Sequence, residues 1–283
     1  MIKRLTKQTI EARFEYNARS DWEQWILLCS DIHFDNPKCD RRLFFSHMDE
    51  AKERNALVFV DGDFFCLMNG RYDPRRSKTG IRKEYNEDNY LDLVINDAAE
   101  RMKPYAGNIL GIAHGNHEQT VSLNCNTSVL DRLVERINIF EKTSIQVAPY
   151  QGLIMFRFVQ PDGGAVKTIR MFFHHGKWGG VITKGTLGVG RYATIFPEAD
   201  IVLSGHTHDQ WIVKQPQFRV NKMGEWSVKN QYHIKTGTYK EEYLEGDTWA
   251  NKNIVMPKCL GGYWLRFRYS KPKGVHFDIF EAN

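Results

Sequence analysis

Through its first half the chain alternates short apolar runs with stretches of helical spacing, and after about residue 144 it changes to period-two alternation. Residues 25–30 form an apolar run ending at Asp31, as expected of a buried strand. In residues 41–55, Leu43, Phe44, His47, Met48 and Ala51 recur at helical spacing with charges between them, which predicts an amphipathic helix. Residues 57–60 read as a second buried strand, stopping at Asp61-Gly62-Asp63. A helix is predicted over 89–102, a third strand over 108–113 that runs into His114-Gly115-Asn116-His117, and a third helix over 128–137. This alternation of strand and helix implies a parallel α/β sheet. Beyond it, residues 145–148, 153–159 and 167–173 read as consecutive strands, and 201–204 as a buried strand ending in Gly205-His206-Thr207-His208. Further alternating segments lie at 263–269 and 275–280. The expectation is an α/β chain of two packed sheets with helices outside. It is read as a single domain over 1–283, with 1–20 as an N-terminal extension and about 237–283 as C-terminal strands or a lid.

Composition narrows this only slightly. The 283 residues carry a net charge of +5, which suits an anionic partner without demanding one. The longest apolar runs are of strand length, so no membrane span is expected, and residues 1–19 lack the apolar core of a secretory signal. Cys29, Cys39, Cys66, Cys125 and Cys259 are scattered and form no C-x-x-C pair. A disulfide framework is therefore not expected, and a reducing, cytoplasmic setting is the simpler reading.

Five short segments carry candidate chemistry, each at or just beyond the end of a predicted strand, the edge where open α/β sheets build ligand sites. They are Asp31-Ile32-His33, Gly62-Asp63, Gly115-Asn116-His117-Glu118, His174-His175-Gly176 and Gly205-His206-Thr207-His208. On an extended chain, residues two apart point to one side, so Asp31 with His33, and His206 with His208, could each reach one ion. Gly62 and Gly205 allow sharp turns and close backbone approach, and the two oxygens of Asp63 could bridge two cations. Imidazole, carboxylate and amide-oxygen donors suit manganese, iron, zinc or nickel better than calcium.

In this order the segments resemble the calcineurin-like metallophosphoesterase superfamily, whose pattern is D-x-H, G-D, G-N-H-[DE], H and G-H-x-H. The resemblance spans roughly residues 27–208 and implies a four-layer α/β/β/α sandwich with two mixed sheets. It also implies two divalent metal ions, most simply Mn2+, with Fe, Zn or Ni as alternatives. Asp31, His33 and His208 would hold one ion and Asn116, His175 and His206 the other, with Asp63 between them. His117 would be the catalytic, unliganded histidine. Two neighbouring cations neutralise phosphoryl oxygens and lower the pKa of a bridging water, so the implied reaction is hydrolysis of a phosphate ester by a metal-bridging hydroxide. Protein phosphatases of the family carry Asp-Arg-Gly after Gly-Asp and an arginine before Gly-Asn-His. Here Phe64-Phe65-Cys66 and His114 stand in those places, which argues against that branch.

Several residues carry a plainer reading beside the functional one. His47, His114, His233 and His276 read as packed histidines. Of the adjacent pair, the family places its ligand before Gly, favouring His175 over His174. Asp61 reads as a strand-end or supporting residue, Glu118 as a hydrogen-bond acceptor, and Asp35 is given no role. The stretch 71–83 holds Arg71, Arg75, Arg76, Lys78, Arg82 and Lys83, and is either a landing surface for a polyanion or a solvated loop. Arg75 and Arg76 are its candidate substrate contacts. The glycine-rich stretch 176–190 is a rim over substrate or a connector, and Tyr239, Tyr243 and Trp249 either stack on a base or pack internally. The expected substrate is a phosphodiester in nucleic acid or a nucleotide. The alternatives are a phosphomonoester or pyrophosphate of a small metabolite, and a non-catalytic binding subunit, in which ligands would be missing. The oligomeric state is open.

Overall fold

The computed structural model describes residues 1–18, 21–68, 80–161, 166–177, 182–244, 249–252 and 254–282. Its first two strands, β1 (Ile2–Thr6) and β2 (Thr9–Glu15), come from the segment expected as an N-terminal extension. They are built into the fold: β2 pairs in parallel with β7 (Gln151–Val159), and Ile10, Ala12 and Tyr16 are buried. Apolar residues at every second position of a strand point to one face, and Ile10, Ala12 and Phe14 follow that rule among charged neighbours.

The expected strand at 25–30 is β3 (Glu23–Cys29), and the helix after it is α1 (Arg41–Glu53). Asp40 caps α1 by accepting from the Leu43 N–H at 2.9 Å, and Phe44, His47, Met48 and Ala51 form its buried face. Next come β4 (Leu57–Val60), α2 (Tyr90–Met102) and β5 (Ile109–Ala113), all close to their predicted spans. The sequence pattern missed α3 (Asn116–Cys125), which has almost no apolar stripe and buries only His117, Glu118 and Val121. After α4 (Val129–Glu141) come β6 (Gln146–Ala148), β8 (Lys167–His174), the unexpected α5 (Gly188–Ile195) and β9 (Ile201–Ser204). The hairpin β10 (Trp211–Val220) and β11 (Trp226–Lys235), the short α6 (Trp249–Lys252) and the hairpin β12 (Gly262–Ser270) with β13 (Gly274–Ala282) complete the order.

Among the described residues the strands form two mixed sheets. One is seven-stranded, ordered β1-β2-β7-β8-β9-β11-β10, and the other six-stranded, ordered β13-β12-β3-β4-β5-β6. Of the options for the C-terminal segment, the β12–β13 hairpin is an edge addition, with β12 running antiparallel beside β3. Ile26, Leu28, Phe59 and Leu110 of one sheet share an apolar cluster with Ile154, Phe156, Met171 and Leu203 of the other. The opposite face of the six-stranded sheet, including Leu27, Val58 and Ile112, packs on α1, α2 and α4. On the seven-stranded sheet Phe172 and Val202 meet Tyr192 of α5. This order of layers is consistent with the α/β/β/α sandwich. The parallel strands β3, β4 and β5 of one sheet and β8 and β9 of the other end at the same edge, which positions the site. No helix among the described residues is long and apolar enough to cross a membrane.

Candidate metal centre

All five motif segments converge at that edge, and backbone hydrogen bonds tie them together. The loop after β3 lies against the loop after β4: Asp31 N–H donates to the Gly62 carbonyl at 3.1 Å and His33 N–H to the Asp63 carbonyl at 3.1 Å. Other bonds cross between the sheets. His206 N–H donates to Asp31 Oδ2 at 2.9 Å, and His175 Nδ1 donates to the Asp61 carbonyl at 2.6 Å. Close approach is needed throughout. A Cβ on Gly205 would stand 2.3 Å from Ser30 Oγ and 2.6 Å from Asp31 Oδ2, so only glycine lets this turn reach Asp31.

The extended-chain argument for the D-x-H and H-x-H pairs does not hold. Asp31 (φ 52°), His33 (51°), Asp63 (48°), His206 (72°) and His208 (58°) all lie in the left-handed region. The strands have already ended at Cys29, Val60 and Ser204, so each pair is aimed by tight turns and not by strand alternation. Such conformations cost of order 1–3 kcal/mol each and persist where surrounding bonds over-determine them.

The resulting geometry brings the candidates into two groups. Ligand atoms of Asp31, His33 and His208 lie within 4.8 Å of one another, as do those of Asp63, His175 and His206. In the first, His208 Nε2 is 3.3 Å from Asp31 Oδ1 and 3.2 Å from His33 Nε2. In the second, His175 Nε2 is 3.1 Å from Asp63 Oδ2, and Asn116 Oδ1 is 2.8 Å from His206 Nδ1. The groups adjoin, with Asp31 Oδ1 and His175 Nε2 4.0 Å apart. Both atoms are buried with no partner in hydrogen-bonding geometry, an arrangement that costs free energy unless a cation sits between such donors. His175 Nδ1 is already committed to a carbonyl, so Nε2 is the nitrogen this ring can offer a metal once its proton is displaced. The donor set therefore fits divalent metal.

Electrostatics support the same reading. Burial works against the charged form of Asp63, yet His175, His117 and His33 outweigh it and hold the carboxyl well below its usual range. Burial likewise disfavours a charged His175, but Asp63 and Asp31 overcome it and push the ring up to about 10. Burial and the neighbouring His117 and His208 drive His33 well down. The cluster thus balances its buried carboxylates with a proton on His175, and a cation binding there would release it.

His117 stands apart from these two groups. Its N–H donates to Asp63 Oδ1 at 3.0 Å, its Nδ1 donates to the Cys66 carbonyl, and its Nε2 lies 3.8 Å from Asp63 Oδ2. Glu118 accepts from the N–H groups of Phe65 and Gly115, both at 2.9 Å, so it fastens the loop after β4 to the start of α3. Asp35 has a clear structural task, accepting from Cys66 N–H at 2.5 Å, from Leu67 N–H at 2.9 Å and from the Tyr90 hydroxyl. Asp61 lies behind the site, fully buried, and burial raises it to about 8. His174 accepts from Gly176 N–H at 3.0 Å and lies beside Tyr192, away from Asp63. His47 pairs with Tyr239 and His233 with Gln231, so both are packed histidines. Tyr239 is fully buried against Phe44 and His47, which leaves no face for a base.

The stretch 69–79, with Arg71, Arg75, Arg76 and Lys78, lies outside the described residues, as do residues 178–181 and the side chain of Trp249. On either side of 69–79 in sequence, the Cys66 carbonyl accepts from His117 Nδ1 and Arg82 donates to the Cys39 carbonyl at 3.1 Å.

Sequence reasoning missed a supporting segment at the end of β11. Thr238 Oγ1 and Tyr239 N–H both donate to the Asp31 carbonyl, at 2.8 and 3.1 Å. Ser30 bonds both Asp31 Oδ2 and Thr236 Oγ1, and the buried Lys235 ammonium donates to the Gly205 carbonyl at 2.6 Å. The available signal was Lys235-Thr236-Gly237-Thr238, another cluster of small residues and glycine closing a strand.

The model of the calcineurin-like phosphoesterase family matches residues 25–210. Among solved structures, a metallophosphoesterase from Sphaerobacter thermophilus is 16% identical, with 92% of this chain and 88% of that one covered and a TM-score of 0.35. Wild-type Vps29 of Entamoeba histolytica, complexed with zinc, is 11% identical over 92% of this chain and 100% of that one, with a TM-score of 0.38. GAP50, described as the anchor in the inner membrane complex of Plasmodium, is 10% identical over 92% of this chain and 85% of that one, with a TM-score of 0.48. No curated protein sequence matches the chain significantly. The family match extends from β3 through the Gly205–His208 turn and so encloses all five motif segments: the chain belongs to the calcineurin-like phosphoesterase family.

Proposed function

We propose that the protein is a dinuclear metal-dependent phosphoesterase acting on a phosphodiester in nucleic acid or a nucleotide. The observation that carries this is the pair of adjoining donor groups, mostly buried, with the unpartnered Asp31 Oδ1 and His175 Nε2 4.0 Å apart. Asp31, His33 and His208 would hold one divalent ion and Asn116, His175 and His206 the other, with Asp63 placed to serve both. Bound metal, in this reading Mn2+, supplies charge neutralisation for the phosphoryl oxygens and an activated water. The chain's own contribution is positioning. His117 Nδ1 is held by the Cys66 carbonyl, which fixes the ring with Nε2 toward Asp63, where it can hydrogen-bond a phosphoryl oxygen or protonate the leaving oxygen. Asp61 and Glu118 hold His175 and the α3 start in place through the bonds described above.

The preference for a polyanionic diester rests on the basic residues of 71–83, which follow Cys66 closely in sequence. Turnover with Mn2+ should be compared on single- and double-stranded DNA, RNA, cyclic nucleotides, and chromogenic mono- and diesters. Hydrolysis of a diester is expected. The paired substitution Arg75→Ala and Arg76→Ala should raise KM for an oligonucleotide more than for a small diester, and flatten its salt dependence by about one unit of slope per lost phosphate contact. Strong preference for a small monoester, with KM indifferent to both substitutions, would instead indicate a metabolite phosphatase.

A further inference from the structure

Cys66 falls outside the donor set just described, yet its thiol is part of the same cluster. Its Sγ, a nitrogen of His33 and a nitrogen of His117 lie within 4.8 Å of one another, and all three side chains are buried. His117 Nδ1 donates to the Cys66 carbonyl, so Nε2 is the atom that ring can offer. His33 Nδ1 is buried without a hydrogen-bond partner. Burial and the nearby Asp35 push the Cys66 thiol up, opposed in part by Asn36 Nδ2 donating to Sγ at 3.2 Å, so the thiolate needs a bound cation to form.

We propose that His33, Cys66 and His117 form a third metal site, selective for thiophilic divalent ions such as zinc or cadmium, and that its occupation inhibits the enzyme. Two imidazoles and one thiolate form a soft donor set of the kind zinc takes in tetrahedral sites, whereas manganese prefers oxygen and gains little from sulfur. Binding replaces the thiol S–H bond by a metal–sulfur bond and releases the proton to solvent, so affinity falls in acid. Inhibition follows from two shared residues. An ion on His117 Nε2 removes the group that would meet the leaving oxygen, and His33 also belongs to the Asp31–His33–His208 group. The site rests on the dinuclear reading for its effect on turnover, but its existence can be tested without turnover.

Cobalt(II) is a suitable probe because a cobalt–thiolate bond gives a near-ultraviolet charge-transfer band, while cobalt held only by histidine and carboxylate gives visible bands alone. Titration of the metal-depleted protein should produce visible bands first and the near-ultraviolet band as cobalt rises. Cys66→Ser should lose the near-ultraviolet band. His117→Ala, which keeps the thiol, should need more than about 10–100-fold more cobalt to reach it, since even losing a ligand's supporting partner costs that much. Zinc beyond two equivalents should suppress turnover of the manganese-loaded protein. Visible bands without the near-ultraviolet band in the unaltered protein would overturn the third site and leave the dinuclear reading standing. Persistence of that band in Cys66→Ser would also overturn it, since another cysteine would then be the ligand. Absence of both sets of bands would remove the dinuclear centre along with it.

Discussion

Replacing Asp63 by alanine is expected to reduce metal-dependent hydrolysis by about 10³-fold or more, equivalent to about 4 kcal/mol of lost transition-state stabilisation. Asp63 is buried, lies 3.1 Å from His175 Nε2 and also accepts from the N–H of His117, so its loss touches one donor group and the proposed catalytic histidine at once. Its backbone is left-handed at φ 48°, which aspartate and asparagine tolerate better than alanine. Asp63→Asn therefore separates charge from backbone strain. It should keep the turn and the fold, yet be nearly as inactive as the alanine variant. Without the Asp63 charge the His175 ring loses its main support, so its pKa of about 10 should fall. Metal titration followed by turnover on a diester checks this, and full activity in metal-depleted Asp63→Ala protein would sink the ligand assignment.

His117→Ala is expected to behave differently. His117 lies outside both carboxylate-containing groups, so divalent metal should still bind with nearly native stoichiometry. The rate should nevertheless fall by about 10²–10⁴-fold, the usual size of a general-acid contribution, or about 3–5 kcal/mol. The loss should shrink on diesters whose leaving group departs as a stable anion and needs no proton. Equal losses on good and poor leaving groups would assign His117 to binding instead. Loss of metal in parallel with rate would make it a ligand.

Much of this site could be read along the chain because each motif is local and closes a recognisable strand. Strand ends and spacing mark the five segments, and the family resemblance picks Asp31, His33, Asp63, Asn116, His175, His206 and His208 out of them. Their convergence has a different cause from the one their spacing suggests. The D-x-H and H-x-H pairs were expected on extended chain and instead sit in left-handed turns, which a polar pattern does not encode. Elements were missed where amphipathic patterning is weak. The α3 helix buries one turn of His117, Glu118 and Val121 and is set by its capping bonds, while β1 and β2 hide short alternating runs among charges. Non-local support was the least legible. Nothing near Asp31 in sequence announces Thr236 and Thr238, and nothing near His33 announces the Cys66 thiol, since both depend on two strands ending at one edge.

Crystals grown in saturating manganese and measured at the manganese absorption edge address the centre directly. Two anomalous peaks about 3.5–4 Å apart are expected, flanking Asp63, with Asp31, His33 and His208 around one and Asn116, His175 and His206 around the other. A single peak, or none, at that edge of the sheets would contradict a dinuclear centre.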